Sequence, residues 1–600
     1  MLITSRYRLA GLAGAALTEL DVLSPAEAYA LLARIVGADR LATDGGAAHR
    51  IVTACGRLPL AIRIAGARLA ARRQLPLGVL ADRLADERRR LDELSAGDLA
   101  VRSSIGLSYR ALDGRARTAL GRMSHLGLPD FSTWVVGWLL ATTPADAEKT
   151  LEVLVDAQLA SFSGVDAAGV LRYRLHDLVR LYARERAEAH EPVALTDAIG
   201  RVFDGWTAVL SRVAADDSPA EARLQPMTEP AVLPDPAVHK LRDNIDDWLA
   251  GEEPALAVAV ERAAALGLPR HICDLVGAHT AVEHVTNRFE MRDRLIGVAM
   301  GVARSIDDPR HHAGMVINLA GLRYAQDRFA EAQQCYEEAL ALFRTLHDVP
   351  GQAVALAGMG IACREPGHLA EAVRHLSQAD SLSQALGDQS GIGHVLRIRG
   401  SVLLEQGEYA AALSDLNASL EAYHRVGSRR GVGLTLRSIG LYHRALGAYD
   451  EAMAACGQAC EIFAEIGDGL MHSYAVRAHA KVQMRIGRSA EALPRLEGAL
   501  ATARDNDDRW GQAATLRVLG QLHLGDGRLD LAQSHLDAAM SIWDTMESPV
   551  WRARTEYDLS QLYHRRGDTV RAEAAFASAL AVFTERGSRE HRELRPTPTG

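Results

Sequence analysis

The chain has 600 residues, 48% of them hydrophobic and 24% charged, and a formal net charge of −9. That length implies several domains, and the composition is that of a soluble globular protein. The negative balance gives no global electrostatic case for nucleic acid, and no apolar run approaches the ~18 residues of a membrane span. The first residues, MLITSRYRL, read as a strand delivering Thr4, Ser5 and Arg6. The stretch after Arg8 is Ala/Gly-rich and too weakly hydrophobic for a secretory leader.

Residues 24–45 read as helices, with Ser24 as cap and Pro25 at the first helical position. Residues 47–90 are helical around Pro59, whose missing N–H costs nothing at a helix start. Four helices follow at 102–111, 113–124, 131–141 and 144–157, then two short strands near 159–163 and 170–175, with Gly164–Gly169 as the turn between them. The segment 216–238 holds four prolines and several acids and reads as an irregular linker; helix resumes at 241–269. The six cysteines are scattered without zinc spacing, so they read as buried small hydrophobes of a reducing compartment. A cytoplasmic location follows. His271, Cys273, His279 and His284 form too loose a cluster for a metal site.

The back half is periodic. Ala332, Ala372, Ala412, Ala452, Ala492, Ala532 and Ala572 lie 40 residues apart. A small residue stands 12 positions before each: Ala320, Gly360, Gly400, Gly440, Ala480, Gly520 and Ser560. Between the two series Asp327 and then Gly367, Gly407, Gly447, Gly487, Gly527 and Gly567 mark turns. A second turn signal, such as Gly387-Asp388 or Gly467-Asp468, closes each unit, which therefore reads as helix, turn, helix, turn. Such a period marks a stacked solenoid, whose ordinary work is to offer a long curved surface to a partner.

The small, Gly and Ala positions of segments 319–340 and 436–459 resemble the tetratricopeptide repeat. The usual unit is about 34 residues, so the 40-residue unit here carries longer helices or turns. Seven repeats cover 305–590, and a degenerate first repeat at 266–304 precedes them, with Arg292 where alanine is expected. Arg397, Arg437, Arg477 and Arg517 stand three positions before the small residue in four consecutive repeats. In tetratricopeptide folds the first helix of each unit lines the concave face, so the resemblance implies a ladder of guanidiniums there. It would favour an acidic peptide or helix; pairing of each arginine with a neighbouring carboxylate is the alternative.

The front segments, in order, resemble the nucleotide-binding domain of STAND signal-transduction ATPases of the NB-ARC type. In that family an arginine after a strand senses the terminal phosphate, a proline packs near adenine, and a histidine of a Met-His-Asp motif touches the phosphate of ADP. By position these are Arg6, Pro59 in CGRLPLAIRIAGARLAA (55–71), and His176 with Asp177 in YRLHDLVRLYARERA (173–187), where Leu175 replaces the methionine. The family's phosphate-cradling loop needs Gly-Lys-Ser/Thr. The three lysines follow Glu148, His239 and Ala480, so none belongs to such a loop. ADP or ATP binding is then expected to be incomplete, and hydrolysis by this chain alone is not expected. Residues 102–188 look like a winged helix, but the helix that would enter DNA, 144–157, is acidic, so no direct DNA contact is expected.

Core, linker and repeats together resemble SARP-type regulators of antibiotic pathways. The expected architecture is mostly α: a partial NB-ARC core at 1–100, a winged-helix subdomain at 101–190, a linker with connecting helices at 191–265, the repeats, and a disordered tail at 591–600. The expected function is that of a signal-responsive transcriptional regulator or a fragment of one. A stand-alone protein-interaction scaffold is the alternative. No nucleophile–base pair or metal spacing supports an enzyme.

Overall fold

The computed structural model describes residues 21–96, 99–188, 192–217, 245–282, 289–305, 308–546 and 548–594. Arg6 and His284 lie outside them, as does most of the proline-rich segment. The chain divides into two units, Met1–Trp206 with Pro230–Leu268, and Thr207–Glu229 with Pro269–Gly600.

The first unit opens on the helix Pro25–Val36, closed by a capping box in which Ser24 accepts from the Glu27 amide and Glu27 returns the bond. The helix Pro59–Ala71 starts at its proline, as the sequence predicts, and buries Ile62, Ile64 and Leu69. Further on, helices Val101–Ala111, Gly114–Leu126, Thr133–Leu140 and Pro144–Asp156 precede strands Ser161–Val165 and Leu171–Arg174. The second of these strands is central in a three-stranded antiparallel sheet, flanked by Phe131–Ser132 and by Ser161–Val165. Phe131–Ser132, read from sequence as the start of a helix, pairs instead with Tyr173 and Arg172. Part of the region expected as linker is also helical: Pro192–Asp217 is one helix that buries Phe203 and Trp206.

A buried ionic network ties this sheet to the helix Ile245–Leu266. The Arg172 guanidinium lies 2.7 Å from Asp166, 2.9 Å from Glu252 and 3.3 Å from Asp130. Trp206 donates its indole N–H to Glu252 at 3.0 Å. Both Arg172 and Glu252 are buried.

In the second unit each 40-residue period is a helical hairpin, for example Gln389–Gln406 with Tyr409–Val426. The period has a physical cause at each marked position. Every periodic alanine is buried. The small residues face the partner helix so closely that a Cβ on Gly400 would come within 2.9 Å of Leu416, and one on Gly520 within 2.6 Å of Leu536. The glycines between helices have φ between +75° and +84°, and Asp327, at the same place in the first repeat, adopts φ +61°. Aspartate tolerates this region better than most residues. Asp348, Ser428, Asp468 and Asp508 cap first helices by accepting the amide three residues on.

Helices Pro269–Val282 and Phe289–Ser305 stand before the first full repeat. Arg292, in the alanine position, is buried. The superhelix winds tightly enough for its C-terminal end to touch the third repeat. The amide of Arg589 donates to the carbonyl of Glu405 at 2.7 Å. The Tyr409 hydroxyl donates to Glu593 at 2.8 Å, and Arg592 pairs with Glu408 at 3.2 Å. Residues 591–594, expected in a disordered tail, thus belong to a packed turn with the helix Glu590–Glu593.

Candidate functional site

The front residues come first. His176 sits at the end of the strand Leu171–Arg174 and just before the helix Asp177–Glu188. Its Nε2–H donates to the carbonyl of Gly56 at 2.9 Å, and its Nδ1 accepts from the Leu178 amide at 3.2 Å. Gly56 has φ +59°, and a Cβ there would fall 2.3 Å from the imidazole. The fold therefore brings the histidine of the Leu-His-Asp segment against the turn that leads into Pro59, though the two are more than a hundred residues apart in sequence. Burial lowers the His176 pKa, so the ring is neutral near pH 7. Both ring nitrogens are engaged, so a phosphate would find a donor on His176 only after the Gly56 bond breaks. Asp177 is exposed and pairs with Arg180 at 3.3 Å.

The second site lies inside the solenoid, where the returning C-terminal end encloses a cavity of about 570 Å³. First helices of consecutive repeats form much of its wall. Arg437, Arg477 and Arg517 line it, while Arg397 stands behind Arg437 as a neighbouring charge. The four arginines aligned by sequence do not share one environment. Arg517 is neutralised by Asp558 at 2.6 Å, and Gln521 holds the same carboxylate. Arg477 stacks on Tyr474 and Trp510, 4.3 Å and 5.0 Å from their ring centres, and its guanidinium reaches the Thr515 hydroxyl at 3.3 Å. Arg437 and Arg397 form no ion pair among the described residues, and the Nε of each is buried without a hydrogen-bond partner.

Sequence periodicity at the repeat length missed the rest of the cavity. Arg444 and Lys481 lie seven and four residues after Arg437 and Arg477, on the same helix faces. A helical period of 3.6 laid over the 40-residue one would have found them. Neither forms an ion pair among the described residues. Burial and the surrounding cations pull Arg437 down to about 9 and Arg444 to about 10, and push Lys481 well below its usual value. The aromatic wall was also missed. Tyr474 and Trp510 stack at 5.5 Å with an interplanar angle of 11°, and Trp551 meets Trp510 edge-on at 5.0 Å.

Apart from the exposed Asp507, the cavity's acids are occupied or near neutral. Glu405 pairs with Arg364 at 2.5 Å, and Glu590 pairs with Arg554 at 2.6 Å. Asp508 caps its own helix through the Gly511 amide and accepts from the Tyr474 hydroxyl. Burial raises Glu365 to about 7 and Asp327 to about 6. The chamber is thus a cation-rich, aromatic-walled space whose own carboxylates leave part of its positive charge unbalanced.

Among the described residues no group of three His, Cys, Asp or Glu is placed to hold a metal ion, and no helix is long and apolar enough to cross a membrane. All six cysteines are free thiols.

A tetratricopeptide repeat profile matches residues 312–382, 392–465 and 512–585. The chain is 45% identical over 279 residues to the regulatory protein AfsR of Streptomyces griseus and 42% identical over 282 residues to AfsR of Streptomyces coelicolor. Each match covers 46% of this chain and 28% of the relative, so the matched part spans less than a third of those proteins. A STAND protein with a tetratricopeptide repeat sensor from Pyrococcus horikoshii shares the fold at a TM-score of 0.52 and 14% identity, covering 94% of this chain and 73% of that one. The chain thus carries tetratricopeptide repeats, shares the fold of a STAND protein with a tetratricopeptide repeat sensor, and is similar in sequence over less than half its length to the regulatory protein AfsR.

Proposed function

We propose that this chain is the signal-receiving part of a transcriptional regulator, or a fragment of one. In this reading the inner face of the repeats binds an anionic protein or ligand signal, and the front segment, with Arg6, Pro59, His176 and Asp177, responds to ADP or ATP without hydrolysing it alone. Identity to AfsR supports the regulatory role, and the repeats support an interaction role. The observation that carries the reading is the contrast along the arginine ladder: Arg517 has its carboxylate, whereas Arg437 has none among the described residues. A half-buried cation that faces an aromatic ring but no carboxylate is costly unless something else supplies the charge.

The test is capture of acidic protein or peptide partners by the full chain and by an Arg437→Glu/Arg477→Glu variant. The variant is expected to lose capture; unchanged capture overturns the assignment. Calorimetric titration with ADP tests the front segment. A second reading, a tetratricopeptide scaffold that binds no nucleotide, is favoured by the full engagement of both His176 nitrogens. Absence of ADP heat, together with retained partner capture, would select it.

A further inference from the structure

The interior cavity combines three properties that narrow the chemistry of what it receives. It is finite, because the C-terminal turn packs against the third repeat, Arg589 on Glu405, Arg592 on Glu408 and Glu593 on Tyr409. Its volume of about 570 Å³ suits a small molecule or one side chain of a partner rather than a long segment. Three cations without a carboxylate partner among the described residues, Arg437, Arg444 and Lys481, stand on two neighbouring first helices, Arg429–Ala445 and Gly469–Arg485.

We infer that this cavity is a receptor site for a phosphomonoester dianion, gripped by Arg437, Arg444 and Lys481. The inference rests on the reading of the repeats as receiver of the signal, and it names the class of that signal. A single carboxylate brings one charge and two acceptor oxygens, which leaves two of the three cations unbalanced. A phosphomonoester brings a charge of about −1.5 to −2 and three strong acceptors. Guanidiniums grip such oxygens in pairs, and a lysine adds a point charge. Among the chamber's other cations Arg364 pairs with Glu405, Arg517 with Asp558, Arg554 with Glu590 and Arg589 with Glu593, while Arg509 donates to the Thr545 hydroxyl. Arg437, Arg444 and Lys481 have no carboxylate partner among the described residues and so have charge to offer. Burial and neighbouring cations, Arg477 and Arg397 beside Arg437 and Arg589 and Arg485 beside Arg444, already lower the affinity of both groups for their own protons, and an incoming dianion would offset the surplus charge. Arg477 is held more closely by the aromatic wall, 4.3 Å from the Tyr474 ring and 5.0 Å from that of Trp510, whereas Arg437 lies over Tyr474 alone at 5.6 Å.

The phosphate could arrive on a small metabolite or on a phosphorylated side chain, and the test separates these. The full chain is titrated at fixed ionic strength with glucose 6-phosphate, with a phosphoserine hexapeptide, and with a hexapeptide carrying glutamate in place of phosphoserine. Binding is followed by tryptophan fluorescence, since Trp510 and Trp551 form the wall. At least one phosphorylated probe is expected to bind tenfold or more tightly than the glutamate peptide, and the tighter of the two identifies the source. Arg437→Gln and Arg444→Gln are each expected to weaken it tenfold or more. Arg374→Gln, an exposed arginine paired with Glu371, should leave it unchanged. Each glutamine variant removes a cation repelled by its neighbours, so the melting temperatures should not fall, and loss of binding cannot then be misread as unfolding. Equal affinity for the glutamate peptide with intact arginine dependence overturns the dianion assignment while leaving the repeats as receiver. Phosphate binding that ignores both arginines, or no binding of either phosphorylated probe, overturns the site; partner capture by the Arg437→Glu/Arg477→Glu variant then decides the broader reading separately.

Discussion

Nε of Arg517 lies 2.6 Å from Oδ2 of Asp558, a residue 41 positions further along the chain. The pair joins the first helices of two successive repeats, and both side chains are buried. Two rungs earlier Arg437 occupies the same register without such a partner among the described residues. One repeated position thus does two kinds of work, one of cohesion and one of stored charge.

This contrast predicts opposite effects of one substitution. Arg517→Met strands a buried carboxylate and should cost about 3 kcal/mol. Arg437→Met removes a half-buried cation lying among other cations and should leave stability unchanged or raise it by about 1 kcal/mol. Thermal unfolding of the two variants against the parent chain checks the sign. A larger loss for Arg437→Met would contradict the assignment of an unbalanced charge.

The cavity acids give a pH dependence. Burial raises Glu365 to about 7 and Asp327 to about 6 in the folded chain. The folded state therefore holds these protons more tightly than the unfolded one. Their contribution is fully present below about pH 4, where both states are protonated, and is lost as the pH climbs through about 6 to 7. Between pH 8 and pH 5.5 the melting temperature should rise on acidification. Glu365→Gln should flatten that rise and stabilise the chain at pH 8 by roughly 1–3 kcal/mol. A profile identical in the variant would remove Glu365 as the cause.

Two helix glycines should respond to alanine in opposite directions. Gly498 lies mid-helix and exposed, and a Cβ there meets nothing within 4 Å. Gly498→Ala should stabilise by about 0.5–1 kcal/mol through helix propensity. Gly520→Ala enjoys the same propensity but drives its methyl to 2.6 Å from Leu536. It should destabilise by about 1–3 kcal/mol. Chemical denaturation midpoints of both variants decide whether close helix approach explains the small-residue series.

In the first unit the ionic network around Arg172 should behave as a set. Glu252→Ala leaves Arg172 buried with less compensation and removes the acceptor of the Trp206 indole. A loss of about 3–5 kcal/mol is expected. Arg172→Ala leaves three carboxylates near one another and should cost as much, and the double variant should cost clearly less than the sum. Additive losses would show that the groups act independently.

Much of the solenoid was legible before any coordinates, because its rules are local. A glycine where the chain needs positive φ, an Asp or Ser at a helix start, and a small residue where two helices of one hairpin touch all recur within 40 residues. Each follows from backbone sterics or from contact inside one repeat. Asp327 shows how far the rule extends, since it takes the glycine conformation at φ +61° in the first repeat. His176 was also legible by its motif, but its bond to Gly56 was not, because that contact needs the fold of the first unit.

By itself the sequence determined the helical hairpin, its register, and the alignment of Arg397, Arg437, Arg477 and Arg517. Only the tertiary structure decided which arginines keep their charge. Pairing depends on whether the next repeat offers an acid at the facing position, as Asp558 does for Arg517. It depends also on superhelical winding, which brings Arg589 to Glu405 across 184 residues of chain. Small per-repeat rotations accumulate into that closure, and no local pattern of residues records their sum.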